Sequence, residues 1–413
     1  MCQLRKVAAK KSRVFPHPSL ESRRSNTTVN DLKMRLLGFC CVILLLLQEI
    51  SAFQFRNLQT VRRVPTRAHG YRSVSMMAGK SVSVGIVGAT GAVGEELLKV
   101  MEKRKFPASS VKLYASEKSS GKVVASDVYG KLELEAFSFD SAKKLDVLLL
   151  AVGGDFSLEW AEKLAAAGVL VIDNSSAFRM KDGVPLVVPE INIAAAKGKK
   201  LIANPNCTTA IALMALWPIH QKFKIKRAII STYQAASGAG APGMQELMDG
   251  MATVVAGGNV VNKVFAHPLP YNIIPHIDVF QPNMYTKEEM KVTLESRKIM
   301  NCPELKMSCT AVRIPTLRAH SEAITLETEK PITANEVRAL LAKAPGVTLR
   351  DDPANKVYPM PLTATNQWDV EVGRIRENDV FGDCGLDLFV CGDQLLRGAA
   401  LNAVIIAEEM MKM

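Results

Sequence analysis

The chain has no cysteine pair at CxxC spacing and no His/Cys set at metal-ligand spacing, which excludes a structural zinc module and leaves no metal site to nominate. Of its eight cysteines, Cys2, Cys40 and Cys41 fall within the first 80 residues. The other five, Cys207, Cys302, Cys309, Cys384 and Cys391, are an odd number in a long chain and read as free thiols of a reducing compartment. Histidine is scarce too. Of six, His17 and His69 lie near the N-terminus, so general acid or base chemistry falls to His220, His267, His276 or His320. The apolar block Leu36 to Leu47 falls short of the ~18 residues that a membrane span needs. Acid is nearly missing from the N-terminal region. Residues 1–80 hold 15 Lys and Arg against 3 Asp and Glu, and the rest of the chain holds 37 of each sign, so the +12 net charge belongs to that region alone. The body therefore lacks the basic surplus of a nucleic-acid binder.

The basic segment, residues 1–80, reads as a targeting leader. Lys33-Met34-Arg35, the apolar block and Ile50-Ser51-Ala52 follow the order of a signal peptide over about 34–52. From Phe53 to about 78 come Arg56, Arg62, Arg63, Arg67 and Arg72 among hydroxyl residues, with no acid before Glu95, which is transit-peptide composition. A signal peptide followed by a transit peptide that begins with Phe resembles the bipartite presequence of algae with secondary plastids. It implies the plastid stroma, with secretion or a cytoplasmic location as alternatives, and no membrane attachment after processing.

Ser81 to Val87 is a β-branched apolar run, followed at once by Gly88-Ala89-Thr90-Gly91-Ala92-Val93-Gly94 and by helical apolar spacing at Leu97, Leu98 and Met101. In this order the glycines let backbone N–H groups approach a pyrophosphate at a helix N-terminus, although the spacing is GxxGxxG and a tight turn without a ligand would look similar. The second strand, Val111 to Ala115, leads into Ser116-Glu117-Lys118-Ser119-Ser120-Gly121-Lys122, where hydroxyls and two lysines suit the 2′-phosphate of NADP. Further strands at Asp146 to Val152 and Val169 to Asp173 enclose a helix from Ser157 to Ala167, so residues 81–206 predict a parallel sheet with helices on both faces. Arg179 ends a polar loop at the carboxyl end of a strand, where open α/β sheets bind ligands and an arginine can hold an anion.

Leu201-Ile202-Ala203-Asn204-Pro205-Asn206-Cys207-Thr208-Thr209 is the stretch around which the rest is arranged. Pro205 disfavours helix at Asn204, and Asn206 is a good N-cap for the apolar segment that follows. Cys207 then stands in the first turn of a buried helix, where unpaired N–H groups lower a thiol's pKa and offer donors to an oxyanion. Beyond it lie a strand, Ile225 to Tyr233, and the loop Gln234 to Gly243, in which Ser237 and Gly238 suit either a second phosphate cradle or a tight inter-domain turn. Glu288 and Lys291 share a helix face at a spacing usual for a surface ion pair. Arg313 and His320 flank the segment between two further strands. Residues 385–413 return to a strand, Leu386 to Cys391, and a helix from Gln394 to Met411 that packs back on the first unit.

The glycine turn, Asp173-Asn174-Ser175-Ser176-Ala177-Phe178-Arg179, Asn204-Pro205-Asn206-Cys207-Thr208-Thr209, Tyr233 to Gly240, Arg313-Ile314-Pro315 and His320-Ser321-Glu322 together resemble aspartate-semialdehyde dehydrogenases of the bacterial and plant type, over everything except the leader. The resemblance implies a Rossmann-type doubly wound α/β domain, 81–206 completed by 385–413, and an α+β catalytic and dimerisation domain, 207–384. It implies Cys207 as nucleophile, Gln234 as the residue orienting substrate, His320 as acid/base, Arg313 as clamp for the substrate α-carboxylate and Glu288 as partner of its amine. Arg179 and Lys291 would form the phosphate site, with Asn206 beside the substrate. NADP would lie on Gly88, Thr90, Gly91, Ala92, Val93, Gly94, Ser116, Lys118, Ser119, Ser237 and Gly238. Lys118 stands where relatives often carry Arg. The implied activity is NADPH-dependent reduction of 4-phospho-L-aspartate to the semialdehyde by a homodimer or homotetramer, in lysine, threonine and methionine biosynthesis. The alternatives are a related phosphorylating reductase, such as N-acetyl-γ-glutamyl-phosphate reductase or glyceraldehyde-3-phosphate dehydrogenase, or a catalytically inactive NADP-binding protein.

Overall fold

The computed structural model describes residues 81–413, and the leader expectations fall outside them. The first sheet takes β1 (Val82–Val87), β2 (Ala108–Ala115), β3 (Val123–Ser126), β4 (Gly130–Ala136), β5 (Val147–Leu150), β6 (Leu170–Asp173) and β7 (Leu201–Ala203). Their order is β3-β4-β2-β1-β5-β6-β7, parallel throughout except for the β3/β4 edge pair. Alternation of side chains explains why both faces are covered. Val84, Ile86, Val147 and Leu149 point to one face, against Leu97 and Met101 of α1 (Ala92–Arg104) and the C-terminal helix. Val87, Leu148, Leu150 and Val171 point to the other, against Ala161 and Leu164 of α2 (Gly154–Ala166). This is the doubly wound arrangement expected from β5 and β6, whose every residue is buried.

Helix α3 (Cys207–Phe223) leaves β7 directly and is apolar on nearly all sides. It packs on a second sheet built from β8 (Ile225–Gln234) and strands beyond two further helices, α4 (Gly240–Val255) and α5 (Lys287–Ile299). Those strands are β9 (Lys306–Arg313), β10 (His320–Thr328), β11 (Val347–Leu349), β12 (Val370–Glu377) and β13 (Gly385–Gly392), in the order β11-β12-β13-β10-β8-β9, with α6 (Ala334–Leu341) between β10 and β11. The sheet is mixed: β8/β9 and β11/β12 are parallel and the other pairs antiparallel. Ile211, Leu213, Leu216 and Ile219 of α3 lie in one cluster with Ile230, Ile324, Leu326 and Val390. Each such side chain contributes about 1.5–3 kcal/mol when buried, so α3 cannot rotate and its first residue is fixed in space.

The C-terminal segment departs from the continuous helix expected over Gln394 to Met411. Leu396–Ala400 forms a π-helical turn and α7 (Leu401–Met410) follows. Within that turn Gly398 has no room for a side chain, since a Cβ would stand 2.6 Å from the Cys207 Cβ. The turn and Cys207 touch through this glycine.

Candidate active site

Asn206 caps α3 as its sequence suggested: its side chain accepts from the Thr209 N–H at 3.1 Å. Its own N–H donates to Glu295 at 2.6 Å. The first-turn donors left for a ligand are those of Cys207 and Thr208. Cys207 faces a cavity of about 280 Å³ whose wall includes Asn206, Gln234, Arg313 and Gly398. Strand β8 supplies Gln234 and the parallel neighbour β9 supplies Arg313, in register opposite one another.

The charges of the site come largely from α5. Glu288 is buried, where it accepts from the Asn206 side chain at 2.9 Å, Gln234 at 3.2 Å and Lys291 at 3.1 Å. Its pairing with Lys291 is therefore no surface ion pair, because the helix turns that face inward. Burial pushes the Glu288 carboxyl up, but Lys291 and the two amide donors outweigh it and hold it below the usual range. Burial likewise opposes the charge on Lys291, yet Glu288 and Asp278, the latter 2.7 Å away, raise its pKa. Arg313 is buried and donates to the Ala235 carbonyl at 2.6 Å. Among the described residues no carboxylate forms an ion pair with it, so its charge is open to an anionic ligand. Arg179 lines the same cavity and donates to the carbonyls of Asn204 and Asn174 and to Glu295.

Cys207 departs from the low-pKa thiol expected at a helix N-terminus. Burial and the Glu288 carboxylate push it up to about 11, and Arg179, a hydrogen bond with Thr208 and Arg313 offset them only in part. None of the four histidines lines the cavity, and His320 is the one that lies directly behind a lining residue, Gly238. His220 accepts from the Ile225 N–H, His276 stacks on Phe280 and His267 is exposed. His320 is buried behind Gly238, where a Cβ would be 3.2 Å from its Nε2 and 2.7 Å from Arg313 Nη1. Burial, with Arg313 beside it, depresses its pKa well below the ordinary value. Nδ1 accepts from the Ala235 N–H at 3.0 Å, so the neutral ring carries its proton on Nε2, which has no partner.

The glycine turn fits a dinucleotide. Gly88 has φ +83° and a Cβ there would lie 2.3 Å from the Ala151 carbonyl oxygen, while a Cβ at Gly94 would lie 2.1 Å from that of Gly88. Gly91 caps α1 with no side chain over the first-turn N–H groups. Thr90, Ala92 and that turn stand beside the end of β2, where Ser116 and Lys118 are exposed and Ser119 is half-buried. Val93 reaches the Cys207 cavity, which Ser237 and Gly238 line from the other side. Ser237 accepts from Gln394, whose Oε1 takes the Ala319 N–H. Sequence reasoning missed Gln394, Asp278 and Glu295. Glu295 lies seven residues past Glu288, two helical turns along the same face, so its spacing carried the signal.

A cysteine capped by Asn, with a glycine turn from one sheet and a buried Arg and Glu from the other, gives the makings of a nucleotide-dependent enzyme site. Residues 83–199 match the family model for the semialdehyde dehydrogenase NAD binding domain, and residues 216–397 match that for the semialdehyde dehydrogenase dimerisation domain. The aspartate-semialdehyde dehydrogenase of Synechocystis sp. is 46% identical over 329 residues, covering 79% of this chain and 96% of that protein. The enzyme of the same name from Aquifex aeolicus is 48% identical over 335 residues, covering 80% and 98%. The crystal structure of aspartate semialdehyde dehydrogenase II from Vibrio cholerae, complexed with ASA, superposes with a TM-score of 0.77 at 38% identity, covering 81% of this chain and 99% of that one. The chain belongs to the aspartate-semialdehyde dehydrogenase family and is an oxidoreductase with an NAD(P)-binding domain.

Proposed function

We propose that this protein reduces 4-phospho-L-aspartate to L-aspartate 4-semialdehyde with NADPH, reversibly, through a thioester on Cys207. The observation that carries the reading is the buried pair of opposite charges facing the thiol. Arg313, with no carboxylate of its own, suits the α-carboxylate, and anionic Glu288 suits the α-amine. That pair also argues against an N-acylated substrate, whose amine carries no charge for Glu288.

Sulfur attack on the acyl phosphate forms the C–S bond and breaks the C–O bond. The thiol proton leaves on the departing phosphate, whose charge Arg179 and Lys291 offset. A bound nicotinamide supplies the hydride that reduces the thioester. The Cys207 N–H holds the oxyanion, and the proton that the sulfur takes back on collapse comes from water by way of His320, whose Nε2 gives up one proton as the ring takes another. Collapse breaks the C–S bond and releases the aldehyde. The preference for NADP rests on Ser116, Lys118 and Ser119 at the end of β2.

The product feeds lysine, threonine and methionine synthesis in the plastid stroma, to which the leader directs the chain. The protein works as a homo-oligomer through the second sheet. NADP reduction by the purified protein with L-aspartate 4-semialdehyde and phosphate tests the reading. Turnover that needs phosphate and is lost in Cys207→Ala is expected; normal rates in that variant, or equal efficiency with NAD, would remove the thioester or the cofactor assignment respectively.

A further inference from the structure

Glu295 lies outside the set of residues that touch reacting atoms, yet it is almost completely buried between two of them. One carboxylate oxygen takes the Asn206 N–H at 2.6 Å; the other takes Arg179 Nη1 at 3.1 Å. Asn206 is the residue before the nucleophile and the cap of its helix, and Arg179 enters from the opposite sheet. One carboxylate on α5 thus joins the start of α3 to the arginine loop after β6. Lys298, one turn further along α5, donates to the carbonyls of Arg179 and Lys181 at 2.7 and 3.0 Å and holds the loop itself.

The guanidinium of Arg179 has three anchors: Nε on the Asn204 carbonyl at 2.9 Å, Nη2 on the Asn174 carbonyl at 2.8 Å and Nη1 on Glu295. Three contacts fix a planar group completely, leaving only its remaining N–H bonds for a ligand. Burial favours the neutral form of Glu295, and Arg179 with the Asn206 N–H opposes that. The carboxylate therefore depends on the groups that it positions.

We propose that Glu295 is the positioning residue of the phosphate site: it holds Arg179 at the angle that meets the acyl phosphate and sets that arginine's distance from Cys207. The proposal rests on the acyl-phosphate reading above. It assigns Glu295 no contact with substrate.

The test is steady-state turnover with L-aspartate 4-semialdehyde, NADP and phosphate, for the unaltered protein, Glu295→Gln, Glu295→Asp and Arg179→Lys. If the unaltered protein shows no phosphate-dependent turnover, the functional reading fails and the proposal falls with it. Given turnover, Glu295→Gln should raise the phosphate KM about tenfold or more, the scale of one lost charge-assisted hydrogen bond, with the NADP KM within about twofold. Glu295→Asp keeps the charge but withdraws it by a methylene, and should show the same split even if the Gln variant does not fold. In an Arg179→Lys background, Glu295→Gln should add less than about twofold, because lysine cannot use the three anchors. A fall in phosphate KM in Glu295→Gln would overturn the proposal, since the carboxylate would then only compete with phosphate for Arg179. Equal rises in every KM would overturn it too, by reducing Glu295 to a part of the scaffold.

Discussion

At Cys207 the dipole of α3 and two arginines favour a thiolate, while burial and Glu288 disfavour it, and the second group wins. The consequence is measurable with iodoacetamide. Alkylation of the ligand-free protein should still be accelerating above pH 9, because the thiol titrates at about 11. A plateau reached below pH 8 would contradict the assignment. Glu322 offers a second residue-scale test. It is wholly buried on the same face of β10 as His320, neither carboxyl oxygen has a hydrogen-bond partner, and burial raises its pKa well above the ordinary 4.5. The stability that goes with its neutral form is complete below the unfolded pKa and is lost as pH rises through the folded one. Glu322→Gln should therefore raise Tm over the parent by a margin that widens from pH 5 to pH 8, and thermal unfolding at both values checks it.

At the scale of elements, the turn between β1 and α1 admits no side chain at position 94. Gly94→Ala sets a Cβ against a carbonyl oxygen, which should cost about 1–3 kcal/mol by thermal unfolding and weaken NADP binding in titration. Wild-type affinity and stability would mean that the turn relaxes freely. This turn, the Asn206 cap and the strands that alternate with helices were legible because each is local: glycine where a Cβ is forbidden, Asn before an apolar helix, continuous apolar runs in strands covered on both faces. Glu288 and Lys291 were legible as a helix face, but not as an inward one, since the direction a polar face takes depends on what packs over it. The π-turn at Leu396–Ala400 left no local mark. It packs against Cys207, almost two hundred residues away in sequence. The thiol pKa was misjudged for a related reason: the dipole belongs to the helix, whereas burial and Glu288 arrive from other elements.

At the scale of the whole molecule, the second sheet has one face on α3 and another that leaves Ile229 and Tyr233 exposed. Exposed apolar side chains on an open sheet face, within the segment that matches a dimerisation domain, are where a second copy would bury surface. Ile229→Asp should shift sedimentation toward the monomer at micromolar concentration; an unchanged coefficient would place the interface elsewhere. The same scale governs when catalysis can begin. Gly398, fifteen residues from the end, closes one wall around the sulfur, and α7 completes the core beneath the nucleotide turn. A ribosome must extend the chain past position 398 before the pocket can close, so until then Cys207 lacks one wall of its surroundings.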